Sequence, residues 1–426
     1  MLNRFAAPEF QTIKDLTLVH PESVGYTNGL KAFVFQAAEL DLIKFEFVFD
    51  NVFDDAENPL LNTVLCSMLK EGTKTYTSAQ IAEHIDFYGA YLMPEYSFDH
   101  TALTLYTMHK YVDKVLPLVK DILTNSIMPQ KELDTYIRNN KQSLLISLQK
   151  NDFVARRLFY QQVFGTTRYG VVPTPETYDT IGREALLELY YKQFRPSNCT
   201  LFIAGNVDNA VLGLVDELFS DDWGTAPGIV QPHSLQLLIP EGKLILESKT
   251  EALQSAIRMG GLMINRTHAD FPAVQFVNTL LGGFFGSRLM ANIREDKGYT
   301  YSIGSAVGNL KYGGFFTIAS EVGTAVTKAA LTEIENEFEN LQQRQPSVKE
   351  VELVRNYLLG VMLGSLESIF SHVDKFKAVY FSGLDLSYYS YYNKVIQEIT
   401  PANVQDIAIR YFDYSKLVKI VVGKMD

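Results

Sequence analysis

Residues 43–49 alternate, with Ile43, Phe45, Phe47 and Phe49 on one side and Lys44 and Glu46 on the other. This predicts a strand with one face on a core and the other in water. From 59 to 69 the spacing turns helical, with Leu60, Leu61, Val64, Leu65, Met68 and Leu69 apolar. Thr77-Ser78-Ala79-Gln80 forms a capping box, in which Gln80 reaches back to the cap and starts a second helix. Strand-like stretches follow over 91–96 and 101–108, and long helical segments run from about 111 to 164. A strand over 200–205 and a helix after Asp208 close this half.

The second half replays that order. It predicts a strand over 253–263, a helix over 271–281, strands over 300–307 and 314–321, and a helix over 324–341. Another helix starts at the Pro346-Ser347-x-x-Glu350 cap. Asn62-Thr63 returns as Asn278-Thr279 after 216 residues, and Arg138-Asn139 as Arg355-Asn356 after 217. Lys131-Glu132 and Lys349-Glu350, like Gly205 and Gly423, are 218 apart. Matches in order at a near-constant offset indicate duplication of a unit of about 215 residues. The expected organisation is a half over 1–222, a linker over 223–240 rich in Gly and Pro, and a half over 241–426. The fold class is α+β, each half a mainly antiparallel sheet with helices packed on one face.

At 47% apolar and 20% charged residues the chain can bury large cores. Its formal charge is −11 with no Lys/Arg run to offset it, which argues against a nucleic-acid partner. Two cysteines, Cys66 and Cys199, are too few for a disulfide framework or a thiolate-rich zinc site. No stretch approaches the roughly 18 unbroken apolar residues of a membrane span, and the N-terminus has no signal-peptide pattern. The cytoplasm is the default expectation, and a periplasmic location fits a chain trimmed of a leader.

No two of the seven histidines lie four apart, so the helical pair that a zinc site commonly uses is missing. No nucleophile elbow, phosphate-binding loop or dinucleotide fingerprint is present. Gln80-Ile81-Ala82-Glu83-His84 looks like His-x-x-Glu-His with its first His replaced. Gln80 has the capping task, however, and an amide is a poor zinc ligand, so a solvated or packed helix face is the reading.

The order of elements, Gly72-Thr73 after the first helix, the run 78–83, Gly89-Ala90 and Phe98-Asp99-His100-Thr101 resemble the pitrilysin/insulinase-like zinc metallopeptidases (inverzincins). The resemblance implies two homologous halves around a substrate chamber and a His-x-x-Glu-His motif ahead of Gly72-Thr73. Counting back, the motif positions fall on Thr63, Cys66 and Ser67, and the third ligand near Asn139 or Asn140. All four positions have lost the family's residue. Hydroxyls, amides and one thiol do not hold zinc and activate its water, so no metal is expected in this chain. Cys66 reads as a small buried hydrophobe.

The second half keeps its signature: Gly282-Gly283-Phe284-Phe285-Gly286-Ser287-Arg288-Leu289, then Arg294 and Tyr301 seven apart. The resemblance gives Arg294 and Tyr301 the task of binding the substrate carbonyl and its oxyanion. It places Gly282, Gly283, Gly286 and Ser287 where backbone and substrate approach closely. The implied role is that of the Arg/Tyr-bearing, non-catalytic subunit of a heterodimeric bacterial or mitochondrial processing-type peptidase. A homologous partner would bring the zinc and the two would share peptide substrates, with self-pairing left open. The alternative is a purely structural subunit of a larger complex.

Overall fold

The computed structural model describes residues 17–221, 223 and 235–425. Most of the expected linker, residues 224–234, lies outside the described residues, as does residue 222.

The first sheet contains β1 (Glu22–Gly25), β2 (Lys31–Gln36), β3 (Leu42–Asp50), β4 (Tyr91–Tyr96), β5 (His100–Met108) and β6 (Cys199–Gly205), ordered β1-β2-β6-β3-β5-β4. The second contains β7 (Leu244–Ser248), β8 (Gln254–Met263), β9 (Thr300–Leu310), β10 (Gly313–Gly323) and β11 (Val418–Gly423), ordered β7-β11-β8-β10-β9. Apart from β1, the two orders are the same. In each sheet the earliest shared strand lies parallel to the last one, β2 to β6 and β7 to β11, and the other pairings are antiparallel.

The first half carries α1 (Leu61–Met68), α2 (Ser78–Phe87), α3 (Val112–Asn125), α4 (Gln130–Ser147), α5 (Asn151–Phe164), α6 (Arg183–Gln193) and α7 (Asn209–Phe219). The second carries α8 (Phe271–Asn278), α9 (Thr327–Gln343), α10 (Val348–Gly364), α11 (Ile369–Tyr380), α12 (Ser387–Glu398) and α13 (Pro401–Tyr411). Both predicted caps form. Thr77 and Gln80 exchange bonds at the start of α2, and Ser347 accepts from the Glu350 N–H at the start of α10.

On one face of the first sheet Ile43, Phe45, Phe47 and Phe49 are fully buried against α1, α3 and α6. The second sheet buries Ile257, Met259, Phe316 and Ile318 against α8, α9 and α13 in the same way.

The opposite face of β3 departs from expectation. Lys44 and Glu46 are 4% and 3% exposed, so this face does not meet water. Helix α11 from the second half lies across it, packing Ile369 and Val373 on Phe35, Val48, Phe202 and Ala204. The relation is reciprocal. Helix α5 from the first half packs Ala155, Phe159 and Val163 on Ala256, Val418, Ile420 and Val422 of the second sheet. Each half therefore lends one helix to the other half's sheet.

Candidate functional site

Helix α1 presents Thr63 and Ser67 half-buried one turn apart, while Cys66 is 2% exposed among apolar neighbours. The Ser67 hydroxyl donates to the Thr63 carbonyl at 3.0 Å and lies 3.3 Å from the Tyr136 hydroxyl on α4. On α4, the Asn140 amide donates to the Tyr136 carbonyl at 2.9 Å, and Asn139 points to solvent. Thr63 and Asn140 line a common cleft of about 400 Å³ that Asn139 does not line. Burial, reinforced by the Glu95 carboxylate, pushes the Cys66 thiol up to about 12, and burial pushes Cys199 up as well. Both thiols stay protonated at neutral pH, and a protonated thiol is neither ligand nor nucleophile. These side chains do not fit a zinc ion. Among the described residues no group of three or more His, Cys, Asp or Glu is placed to hold a metal. The Gln80–His84 segment offers no alternative, because His84 Nε2 lies 2.9 Å from the Lys114 carbonyl and Glu83 is exposed.

Asp55 lies behind the cleft, a residue that sequence patterning passed over. It is 1% exposed and accepts from the Tyr96 hydroxyl at 2.6 Å and the Asn62 amide at 2.8 Å. Burial raises its pKa to about 6, against the pull of those two hydrogen bonds. The Tyr96 ring lines the cleft that contains Thr63 and Asn140.

In the second half, the helix predicted over 271–281 is divided. α8 ends at Asn278 and the backbone widens into a π turn over Thr279–Gly283. Gly282 sits so close to β9 that an added Cβ would lie 2.7 Å from Ser305 Oγ and 2.9 Å from its backbone nitrogen, so only glycine fits. A second π turn spans Met290–Asp296 and carries Arg294. Arg288, between the turns, grips Glu350 at the start of α10 through two bonds of 2.6 and 3.0 Å. This fork fixes the segment against the helix layer.

The Arg294 guanidinium carbon lies 4.8 Å from the Phe285 ring centroid and 5.7 Å from that of Tyr301, the second residue of β9. Phe285 is 64% and Tyr301 89% exposed. Arg294 is in no ion pair among the described residues, and its neighbours Glu295 and Asp296 face solvent. A cation held by two aromatic faces, beside an exposed phenol, is available to an external anion or carbonyl. Of the four turn residues, Gly283 and Gly286 are exposed. Gly282 and Ser287 are buried and serve inside the turn. Phe285 and Arg288 were missed by sequence reading, although both lie within the Gly-rich signature.

Residues 61–166 match the family described as Insulinase (Peptidase family M16). Residues 180–358, which include the Gly-rich segment, Arg294 and Tyr301, match the family described as Peptidase M16 inactive domain. The chain belongs to the M16 peptidase family. An uncharacterized zinc protease, YmxG of Bacillus subtilis (strain 168), is 23% identical over 75% of this chain and 78% of its own. A non-peptidase homolog, also named YmxG, of Helicobacter pylori (strain ATCC 700392 / 26695) is 23% identical over 85% and 84%. A crystal structure of a peptidase M16 inactive domain from Pseudomonas fluorescens superposes with a TM-score of 0.85 at 21% identity, over 95% of this chain and 98% of that one. The M16 assignment carries the fold and the inactive-type domain. Thr63, Cys66, Ser67, Asn139 and Asn140 lie within the first matched range, and Arg294 and Tyr301 within the second. No helix among the described residues is long and apolar enough to cross a membrane.

Proposed function

We propose that this chain is the non-catalytic subunit of a two-part M16 peptidase. It forms part of the chamber wall and offers Arg294 and Tyr301 to a peptide held at a homologous partner that brings the zinc motif. The observation carrying this reading is the exposed Arg294–Tyr301 pair. The guanidinium is steadied by Phe285 and Tyr301 rather than by a carboxylate, and the π turns and the Arg288–Glu350 fork hold its backbone in place. A residue kept only for packing has no need to be 89% exposed, as Tyr301 is. A fixed guanidinium and phenol facing a developing oxyanion lower the barrier to peptide hydrolysis, and removing one such donor typically loses about 10²–10³ in rate.

The chain alone should neither bind zinc tightly nor cleave casein. Mixed with a zinc-motif relative, it should restore cleavage of an unstructured peptide. In that mixture R294A and Y301F should reduce kcat by roughly tenfold to a thousandfold while leaving assembly intact. Unchanged rates in both variants would favour the structural-subunit reading, and stoichiometric zinc in the purified chain would contradict both.

A further inference from the structure

The cleft shared by Thr63 and Asn140 measures about 400 Å³. That is within the range of small-ligand sites. Its walls include Leu60, Leu144, Phe98, Phe153 and Tyr160. Two more lining tyrosines have their polar ends committed elsewhere. Tyr96 donates to Asp55 at 2.6 Å and Tyr169 donates to Asp99 at 2.8 Å. Those carboxylates are thus occupied by the wall itself, and no Asp or Glu lines the cleft.

The charge in the cleft is all of one sign. Arg156 and Arg157 both line it, with guanidinium carbons 5.5 and 5.7 Å from the Phe153 ring. Neither is in an ion pair among the described residues, where the arginine pairs are those of Arg168, Arg258, Arg288 and Arg410. Arg157 is half-buried, and burial lowers its pKa. A partly desolvated cation without a counter-charge gains from any anion that reaches it. In a chain of formal charge −11, this is a local reversal of sign beside an aromatic wall.

We propose that this cleft is a binding pocket for an apolar group that ends in a carboxylate. The group seats on the aromatic wall and the carboxylate meets Arg156 and Arg157. The C-terminal residue of a peptide and a free hydrophobic acid share this chemistry. The pocket is built only from first-half side chains, so it stands independently of what Arg294 and Tyr301 do for a partner.

The test uses the full chain alone and an N-terminally fluorescein-labelled hexapeptide ending in Leu-Phe, followed by fluorescence anisotropy. The free acid should bind about tenfold more tightly than the C-terminal amide. R157Q should bring that ratio below about twofold, R157K should retain part of it, and T63W, which puts a bulky ring on a lining position, should weaken both forms. Circular dichroism and the melting temperature identify any variant that has failed to fold. The acid-to-amide ratio of the unaltered chain needs no variant. Competition by 3-phenylpropionate at concentrations near the peptide's Kd points to a free acid as the ligand, and a need for a hundredfold more points to a peptide end. Equal binding of acid and amide, or a ratio unmoved by R157Q in folded protein, overturns the proposal.

Discussion

The Asp55 carboxylate sits where water does not reach it, between the Tyr96 hydroxyl and the Asn62 amide. Its pKa of about 6 lies above the ordinary carboxylate value. Below about pH 4 the folded and unfolded chains both hold this proton. As pH rises toward 6 the unfolded chain releases it while the folded chain keeps it, so the contribution of this group to stability falls. Above the folded pKa the penalty is complete, at roughly 3 kcal/mol for the full shift. D55N should therefore gain on the unaltered protein by about 1–3 kcal/mol between pH 4 and pH 7.5 in urea unfolding. A difference that stays flat with pH would show that Asp55 is not the buried acid. At this scale the sequence was legible where a motif carries chemistry. Arg294 and Tyr301, named through the family resemblance, lie side by side, and Thr63 shares a cleft with Asn140. Asn139 or Asn140 could not be separated by counting, because a helix places the two about 100° apart and only packing decides which faces α1. Asp55 was illegible because its partners Tyr96 and Asn62 lie 41 and 7 residues away with no periodic signal.

At the scale of elements, β3 shows how a correct pattern can carry a wrong environment. The alternation of Ile43, Phe45, Phe47 and Phe49 with Lys44 and Glu46 does describe a strand with two unlike faces. The polar face is nevertheless buried, because α11 arrives from more than 300 positions later and brings Lys377 and Asp374 to meet it. Glu46 pairs with Lys44 at 2.6 Å and with Lys377, and Lys377 reaches Asp374 at 3.2 Å. Burial alone would pull the Lys44 ammonium down, but the charge and hydrogen bond of Glu46 more than offset it, and its pKa is raised. K377A would leave the buried Glu46 carboxylate with one cationic partner, Lys44, instead of two. We expect a loss of about 2–3 kcal/mol, less than the full penalty for orphaning a buried ion because Lys44 remains. E46Q in the same chain should recover part of that loss, giving a coupling of about 1 kcal/mol or more in a double-mutant cycle. Additive losses would place α11 off this face. The helix predicted over 271–281 is a second instance. Hydrophobic spacing continues through Leu280 and Leu281, yet the glycine pair and the pressure of β9 open the last turns into a π geometry that periodicity cannot register.

Over the whole molecule, the exchange of α5 and α11 sets the cooperativity. Without α11 the first sheet would expose Phe35, Val48 and Phe202, and without α5 the second would expose Val418, Ile420 and Val422. Each fully buried side chain of this size contributes about 1.5–3 kcal/mol, so neither half can discard its borrowed helix without losing much of its margin. Further ties lie at the β9–β10 turn. There the Lys311 N–H donates to Asp99 at 3.1 Å, and its ammonium lies 3.4 Å from Asp50. The repeat read from the offsets has its counterpart in the matching strand orders, but a repeat in sequence says nothing about which half each helix covers. The chain should therefore melt in one calorimetric transition, with van't Hoff and calorimetric enthalpies equal. A fragment ending at residue 221 should lack fixed near-ultraviolet dichroism, and adding the complementary fragment should restore it. Two separable transitions, or a natively packed first fragment, would mean that the lent helices are peripheral. The platform carrying Arg294 and Tyr301 would then be free to move against the half that carries Thr63 and Asn140.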